Sequence, residues 1–239
     1  MDPVNVLQPV RDAEFYFEYV VFLVEGTLFK VTRRNLESDS EVFRDMFAMP
    51  VSGNATADGS DDEHPLRPEG VAKEDFVQLL RVIYPKYYEQ SEQLTSEEWI
   101  SVLKLSSMWN FERIRTTAIR NLSHNMQGDP VGRLVLSKKY AIGEWMVPAL
   151  NALARRTQPL QRADVDAIGL DDALKLAEVR EVLRGSNSTC YCTCTKCAAQ
   201  HGYGTRQPAD RENYDFTREI LQIFDLQSAP LVPVYALRY

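Results

Sequence analysis

The 239-residue sequence predicts an α+β fold, in which a small β-sheet is flanked by helices and followed by an all-helical extension. Two observations predict it. β-branched and aromatic residues cluster at 19–31 around a Glu25-Gly26 turn, as in a β-hairpin. Beyond this segment, apolar residues recur at the three- and four-residue spacing of amphipathic helices.

Composition excludes several classes of protein. The chain is 44% hydrophobic and 26% charged, which is ordinary for a globular protein. No apolar run approaches the roughly 18 residues of a membrane span, and the N-terminus lacks the basic and apolar regions of a secretory signal. The net charge of −7 argues against a dominant nucleic-acid role. We therefore expect no membrane or nucleic-acid partner, and a cytoplasmic or nuclear location with reduced thiols.

The predicted hairpin begins with a strand from Tyr19 to Val24 and returns from Leu28 to Val31. The first strand is apolar on both faces, so other parts of the chain should cover each side. A helix should follow, since Ser38 and Glu41 have the spacing of a capping box.

The segment 51–68 differs from its surroundings. Gly, Ser, Asn and Asp dominate it, and Asp61, Asp62 and Glu63 are consecutive. This composition is typical of a solvated loop, and the ligand spacing of a calcium-binding loop is absent. We interpret 51–68 as a long acidic loop insertion.

Helices are predicted for most of the remaining chain. Thr95 and Glu98 have capping-box spacing, and Asp129 precedes Pro130 as a cap precedes the first helical position. Gly185 should end a helix. These signals predict a first domain at 13–125, a helical extension at 126–185, a Cys-rich linker at 186–210, and a C-terminal helix and tail at 211–239.

The N-terminal half resembles the BTB/POZ domain family over roughly residues 13–125. The family pattern F-x-V-H-x-x-x-L-x-x-x-S-x-x-F-x-x-x-F has its matches at Phe29, Val31, Leu36, Ser40, Phe43 and Phe47. The later pattern F-x-x-L-L-x-x-I-Y has its matches at Phe76, Leu79, Leu80, Ile83 and Tyr84. The remaining helices resemble the extension that follows BTB domains in many fungal members.

This sequence departs from the family pattern at three points. Thr32 replaces the histidine after the second strand, and Glu18 is the nearest counterpart of an acidic residue that lies near the dimer interface of many relatives. The long loop at 51–68 implies that one small strand is lost or displaced.

The resemblance implies a protein–protein interaction module, in self-association or as an adaptor or scaffold, including for cullin-type ubiquitin ligases. Its partner would be a second copy or another protein, and no catalytic machinery is implied. Phe15, Tyr16, Phe17 and Tyr19 form an aromatic cluster at the start of the hairpin, of residue types enriched at interfaces. Packing of these side chains on their own domain is the alternative.

The residues themselves give little support for an enzyme. The chain has three histidines and lacks nucleophile-elbow, phosphate-loop and zinc-protease motifs. Ser101 and Lys104 have the S-x-x-K form but fall inside an amphipathic helix without companion motifs. We predict that the protein is not an enzyme and has no cofactor other than a metal ion.

The strongest chemical signal is a run of metal-ligand residues, spaced C-x-C-x-C-x-x-C-x-x-x-H: Cys190, Cys192, Cys194, Cys197 and His201. Thiolate and imidazole are preferred zinc ligands, and dense thiolates also suit copper(I). The flanking residues are small and polar, which is typical of a flexible linker. Two hypotheses therefore remain for 186–210: a linker, or the metal site of a metal-binding or metal-sensing protein on a BTB scaffold.

Overall fold

The computed structural model describes residues 10–49, 58–85, 94–185 and 211–226. The chain divides into two compact units, Met1–Asn125 and Met126–Tyr239. The described part of the first unit has two strands and five helices: β1 (Tyr19–Val24), β2 (Thr27–Thr32), α1 (Arg33–Glu37), α2 (Glu41–Ala48), α3 (Lys73–Ile83), α4 (Ser96–Met108) and α5 (Glu112–Asn125). That of the second has five helices: α6 (Pro130–Lys139), α7 (Gly143–Arg155), α8 (Arg162–Ile168), α9 (Leu170–Gly185) and α10 (Thr217–Ile223). The predicted α+β class is confirmed.

Strands β1 and β2 form the predicted antiparallel hairpin. Tyr19 lies opposite Thr32, and Val24 lies opposite Thr27. Both turn residues, Glu25 and Gly26, have positive φ, which a tight hairpin requires.

The other edge of β1 pairs with the end of the acidic loop. The amide of Val21 donates to the carbonyl of Gly59 at 2.9 Å, and that of Leu23 donates to the carbonyl of Leu66 at 2.8 Å. Leu66 also makes an isolated parallel bridge with Phe22. The sequence predicted that one small strand is lost or displaced at this loop. In its place, the described part of the loop pairs briefly with β1.

Both faces of β1 are covered, as its sequence predicted. Four of its six side chains are at most 2% exposed: Val20, Val21, Phe22 and Val24. Since β1 alternates its side chains between faces, this burial requires packing on each side of the hairpin.

An aromatic cluster forms the core of the first unit. The Phe43 ring lies 5.9 Å from Phe22 on β1, 5.4 Å from Trp109 and 5.7 Å from Phe111, centroid to centroid. Phe76 on α3 lies 5.2 Å from Phe22 and 5.9 Å from Trp109. These edge and tilted contacts join the hairpin, α2, α3 and the α4–α5 connection in one interior.

Ser40 connects two parts of this unit by hydrogen bonds. Its hydroxyl accepts from the amide of Phe43 at 3.2 Å, which caps α2, and donates to the carbonyl of Trp109 at 2.5 Å. The predicted cap at Ser38 is wrong, because Ser38 keeps helical backbone angles and donates to the carbonyl of Asn35. The extended backbone of Ser40 is what turns its hydroxyl toward the helix end.

Two other predicted helix starts are confirmed. Thr95 and Glu98 exchange the hydrogen bonds of a capping box at α4. Asp129 accepts from the amide of Gly132, with Pro130 at the first position of α6.

The second unit has its own core, formed by α6, α7, α9 and α10. Its most buried members include Leu134, Leu150, Leu153, Leu176, Val179, Phe216 and Ile220. The side-chain amide of Asn151 holds α10 in place. Its Nδ2 donates to Asp215 and Thr217, and its Oδ1 accepts from the backbone N–H of Phe216 at 2.9 Å. Residues 211–226 are therefore an integral part of the second unit.

Among the described residues, no helix is both long and apolar enough to cross a membrane.

Gly59 provides a stability test of the loop pairing. A Cβ there would lie 2.6 Å from Cγ2 of Val20, and φ is +83°. Gly70 also has positive φ, at +70°, but a Cβ there meets nothing within 4 Å. Gly59→Ala should lower the free energy of unfolding by about 1–2 kcal/mol more than Gly70→Ala, because only Gly59→Ala adds a clash to backbone strain. Urea unfolding of both variants measures this, and equal losses would contradict the pairing.

Candidate interaction surface

The segment before β1 begins with a turn organised by Asp12. Oδ1 of Asp12 accepts from the amide of Phe15 at 2.7 Å and from that of Glu14 at 2.9 Å. These bonds, first from Phe15 and then from Glu14, lower the pKa of the Asp12 carboxyl. The turn thus fixes the backbone from which the aromatic side chains project.

Helix α1 attaches this segment to the domain. Arg34 donates to the carbonyl of Glu14 at 3.0 Å, and the amide of Arg33 donates to the carbonyl of Glu18 at 2.9 Å. The Arg33 guanidinium also lies 4.4 Å above the Phe47 ring and donates to Glu37 at 2.7 Å. Arg33 therefore links the segment to Phe47 of α2.

The four aromatic residues that the sequence singled out are all exposed. The exposed fractions are 68% for Phe15, 56% for Tyr16, 42% for Phe17 and 53% for Tyr19. We call these four residues the aromatic surface. Buried aromatic side chains each remove roughly 150–250 Å² from water, so a partner that covered this surface would bury a substantial apolar area.

Two cations border the aromatic surface. The guanidinium of Arg11 lies 4.6 Å from the Tyr16 ring centroid, and Nζ of Lys30 lies 5.8 Å from that of Tyr19. Glu18, the nearest candidate for the family's acidic residue, is largely exposed and lies 3.7 Å from Arg33. The surface thus has an aromatic centre and charged borders, as many interfaces do.

The sequence analysis missed Leu28 and Lys30 as surface residues. Leu28 is 46% exposed, although it lies in an apolar strand. Strand side chains alternate between two faces, and this periodicity could have identified them: Leu28 and Lys30 lie on the exposed face of β2, and Phe29 and Val31 lie on the partly buried face.

Thr32, which replaces the family histidine, joins β2 to the end of α3. The Thr32 hydroxyl lies 3.1 Å from the Tyr84 hydroxyl. The Tyr84 hydroxyl also donates to the Thr32 carbonyl at 3.0 Å. Burial raises the pKa of Tyr84 despite these bonds. Threonine therefore keeps a polar link at this position.

The S-x-x-K pair has a structural contact. Lys104 donates to Oδ2 of Asp75 at 2.6 Å, and Ser101 also hydrogen-bonds to Asp75. Burial raises the pKa of Asp75, but the bonds from Lys104 and Ser101 outweigh it, so that the pKa lies below its usual value. The pair stabilises the packing of α3 on α4.

The described residues contain no group of three or more His, Cys, Asp or Glu side chains suited to a metal ion. Cys190, Cys192, Cys194, Cys197 and His201 lie outside the described residues. The ends of that stretch are defined: α9 reaches Gly185, and Arg211 donates to the carbonyl of Arg180 at 3.2 Å. The cysteine run is thus inserted between two elements of the second unit.

The chain matches a known protein family. The model of the BTB/POZ domain matches residues 7–126, which is half of the chain. No curated protein shows significant similarity to the chain.

The Asp75–Lys104 contact predicts a pH dependence of stability. Because the folded-state pKa of Asp75 is lowered, its contribution is complete above the unfolded pKa of ~3.9 and is lost as pH falls through the lower folded value. Asp75→Asn should lower the free energy of unfolding by about 1 kcal/mol at pH 6, with the difference from wild type shrinking below about pH 4. Chemical unfolding of both proteins at pH 6 and at pH 3 measures this.

The matched control is Asp45→Asn, at an exposed position of α2. A loss that is the same at pH 6 and at pH 3, or one shared by the control, would contradict the assignment.

Proposed function

We propose, from the premise that this chain belongs to the BTB/POZ domain family, that its first unit self-associates through the aromatic surface. The family is one of protein–protein interaction domains, so this unit is a protein-binding module. Self-association is the specific form of that activity which we assign to Phe15, Tyr16, Phe17 and Tyr19.

One observation carries the proposal: exposed aromatic side chains project from a backbone segment that is held in place. Asp12 fixes the turn, and Arg33 and Arg34 bind its carbonyls. A surface already ordered before binding loses less conformational entropy on association than a loose tail does. Tyrosine, present here at Tyr16 and Tyr19, is also among the residue types enriched in the positions that dominate binding energy.

The expected interface is of ordinary size. A specific pair needs to bury about 1,000 Å² or more in total, which four aromatic side chains per copy supply in large part. Arg11 and Lys30 lie at its border, where they would favour one orientation of the partner more than they would raise affinity.

Sedimentation or light scattering of the full chain tests self-association. The weight-average mass should rise from 27.3 kDa toward twice that value as concentration increases through the micromolar range. The triple variant Phe15→Ala, Tyr16→Ala, Phe17→Ala should weaken the dimer at least about tenfold, since tenfold needs only ~1.4 kcal/mol.

Leu174→Ala is the matched control, because Leu174 is 61% exposed on α9 in the other unit. A wild-type chain that stays monomeric at high micromolar concentration would contradict the proposal, as would equal weakening by the control.

A role as adaptor for a cullin-type ubiquitin ligase is a finer proposal. The family resemblance supports it, and the all-helical second unit offers a surface on which a substrate could be held. Affinity capture of the full chain from cells, probed for cullin proteins, tests it. Absence of any cullin from captures that do retain a second copy of this chain would argue for self-association alone.

The alternative function is metal binding by the Cys190–His201 run, in a protein of the cytoplasm or nucleus where thiols stay reduced. The ligand spacing supports it, because four thiolates and an imidazole exceed the four ligands of a closed zinc site. The residues on either side of the insertion belong to the second unit, so a bound metal would cross-link a segment whose two ends are both held.

Metal analysis of protein purified under reducing conditions tests this alternative. It predicts about one zinc or copper per chain, and loss of that metal in the double variant Cys194→Ser, Cys197→Ser. Substoichiometric metal in the wild type, with thermal stability unchanged by a chelator, would leave the linker interpretation.

A further inference from the structure

The direction of the β1 hydrogen bonds fixes which backbone groups of β2 face outward. The backbone groups of Val21 and Leu23 point to the loop at Gly59 and Leu66. Neighbouring residues of a strand point their backbone groups to opposite edges, so Val20, Phe22 and Val24 pair with β2. Their partners in the register are Val31, Phe29 and Thr27. The N–H and C=O groups of Leu28, Lys30 and Thr32 consequently face away from β1.

Among the described residues, this outer edge of β2 is open over a short length. The Thr32 carbonyl already accepts from the Tyr84 hydroxyl at 3.0 Å. Within the described part of the chain, no backbone partner from another element reaches Leu28 or Lys30. Two donors and two acceptors are therefore presented between the hairpin turn and Tyr84, which is enough for a short added strand.

The side chains along this edge specify what kind of strand fits. Leu28 and Lys30 are exposed on one face of the hairpin, next to Tyr19, whose ring lies 5.8 Å from Nζ of Lys30. No carboxylate of the described residues lies within ion-pair distance of Lys30. An added strand would place one side chain beside Lys30 and another, two positions away, beside Leu28.

A second copy of the same edge is a poor occupant. Antiparallel pairing centred on Lys30 would set two lysines directly opposite each other, which is destabilising. A lysine on an edge is also a common device against edge-to-edge association of identical chains. The same charge favours a partner strand that carries a carboxylate.

We propose that the outer edge of β2 binds an extended peptide segment of another protein by antiparallel strand addition. The segment carries an acidic residue opposite Lys30 and an apolar residue opposite Leu28. This binding uses the backbone of β2 rather than the rings of Phe15, Tyr16 and Phe17, and the two proposed sites meet at Tyr19 and Lys30.

The test uses the full chain and the synthetic peptide acetyl-TVTETVT-amide, whose central glutamate is flanked at two-residue spacing by valines. Titration should shift the backbone amide resonances of Leu28 and Lys30. Replacing the peptide glutamate with lysine should weaken binding by about threefold to tenfold, as expected for reversal of a cross-strand charge pair. Lys30→Glu should reverse that preference, which a purely structural role of Lys30 would not do.

Backbone N-methylation of the peptide gives a second readout that leaves the protein unchanged. Methylation of the glutamate and valine amides, which face β2 in this pairing, should abolish binding, whereas methylation of the threonine amides should not. No shift at Leu28 and Lys30 with excess peptide, or equal binding of both methylated forms, would overturn the proposal. If adding Lys30→Ala to the Phe15→Ala, Tyr16→Ala, Phe17→Ala variant raised its mass, the proposal would be overturned too, since a second copy would then be the occupant of the edge.

The Phe15→Ala, Tyr16→Ala, Phe17→Ala variant separates the two sites. It should keep its affinity for the peptide while losing self-association, so failure of one proposal is visible without the other.

Discussion

The first unit depends on the packing of Phe43 against rings from distant parts of the chain. Phe22, Trp109 and Phe111 all lie within 6 Å of it, centroid to centroid, and Phe76 contacts two of the same rings. A hairpin of two strands is marginally stable at best when alone in water, so β1 and β2 need this packing to persist. The hydroxyl of Ser40 adds direction to it, because one oxygen caps α2 and also binds the carbonyl of Trp109.

The same core determines where the binding groups lie. Helix α1 follows β2 directly, and its Arg33 lies over the Phe47 ring while its amide holds the carbonyl of Glu18. The aromatic surface is thus attached, through one helix, to the interior. The open edge of β2 has a similar origin: Tyr84, at the end of the helix that carries Phe76, closes that edge at Thr32. Core packing and the position of the proposed binding surfaces are therefore two consequences of one arrangement.

Features that depend on residues close in sequence were predicted well. The hairpin, the capping box at Thr95 and the cap at Asp129 depend on residues close in sequence, and each has its expected form. Predictions failed where the deciding partner is distant. The capping-box spacing of Ser38 and Glu41 favoured Ser38 in sequence, but it is Ser40 whose hydroxyl also reaches Trp109. Nothing local indicates that Gly59 and Leu66 pair with β1, because this pairing follows from the tertiary path of the loop. The position of the aromatic surface likewise depends on Arg33 and Arg34, which bind the carbonyls of Glu18 and Glu14 earlier in the chain, whereas the spacing of the cysteine run indicates chemistry but no position.

We infer that a fixed core presents the aromatic surface for association. Amide hydrogen exchange of the full chain at several protein concentrations tests this inference. The amides of α2, around Phe43, should be protected equally at every concentration, and protection of residues 13–19 should rise as the protein is concentrated. Protection of 13–19 that does not change with concentration, or fast exchange throughout α2, would contradict it.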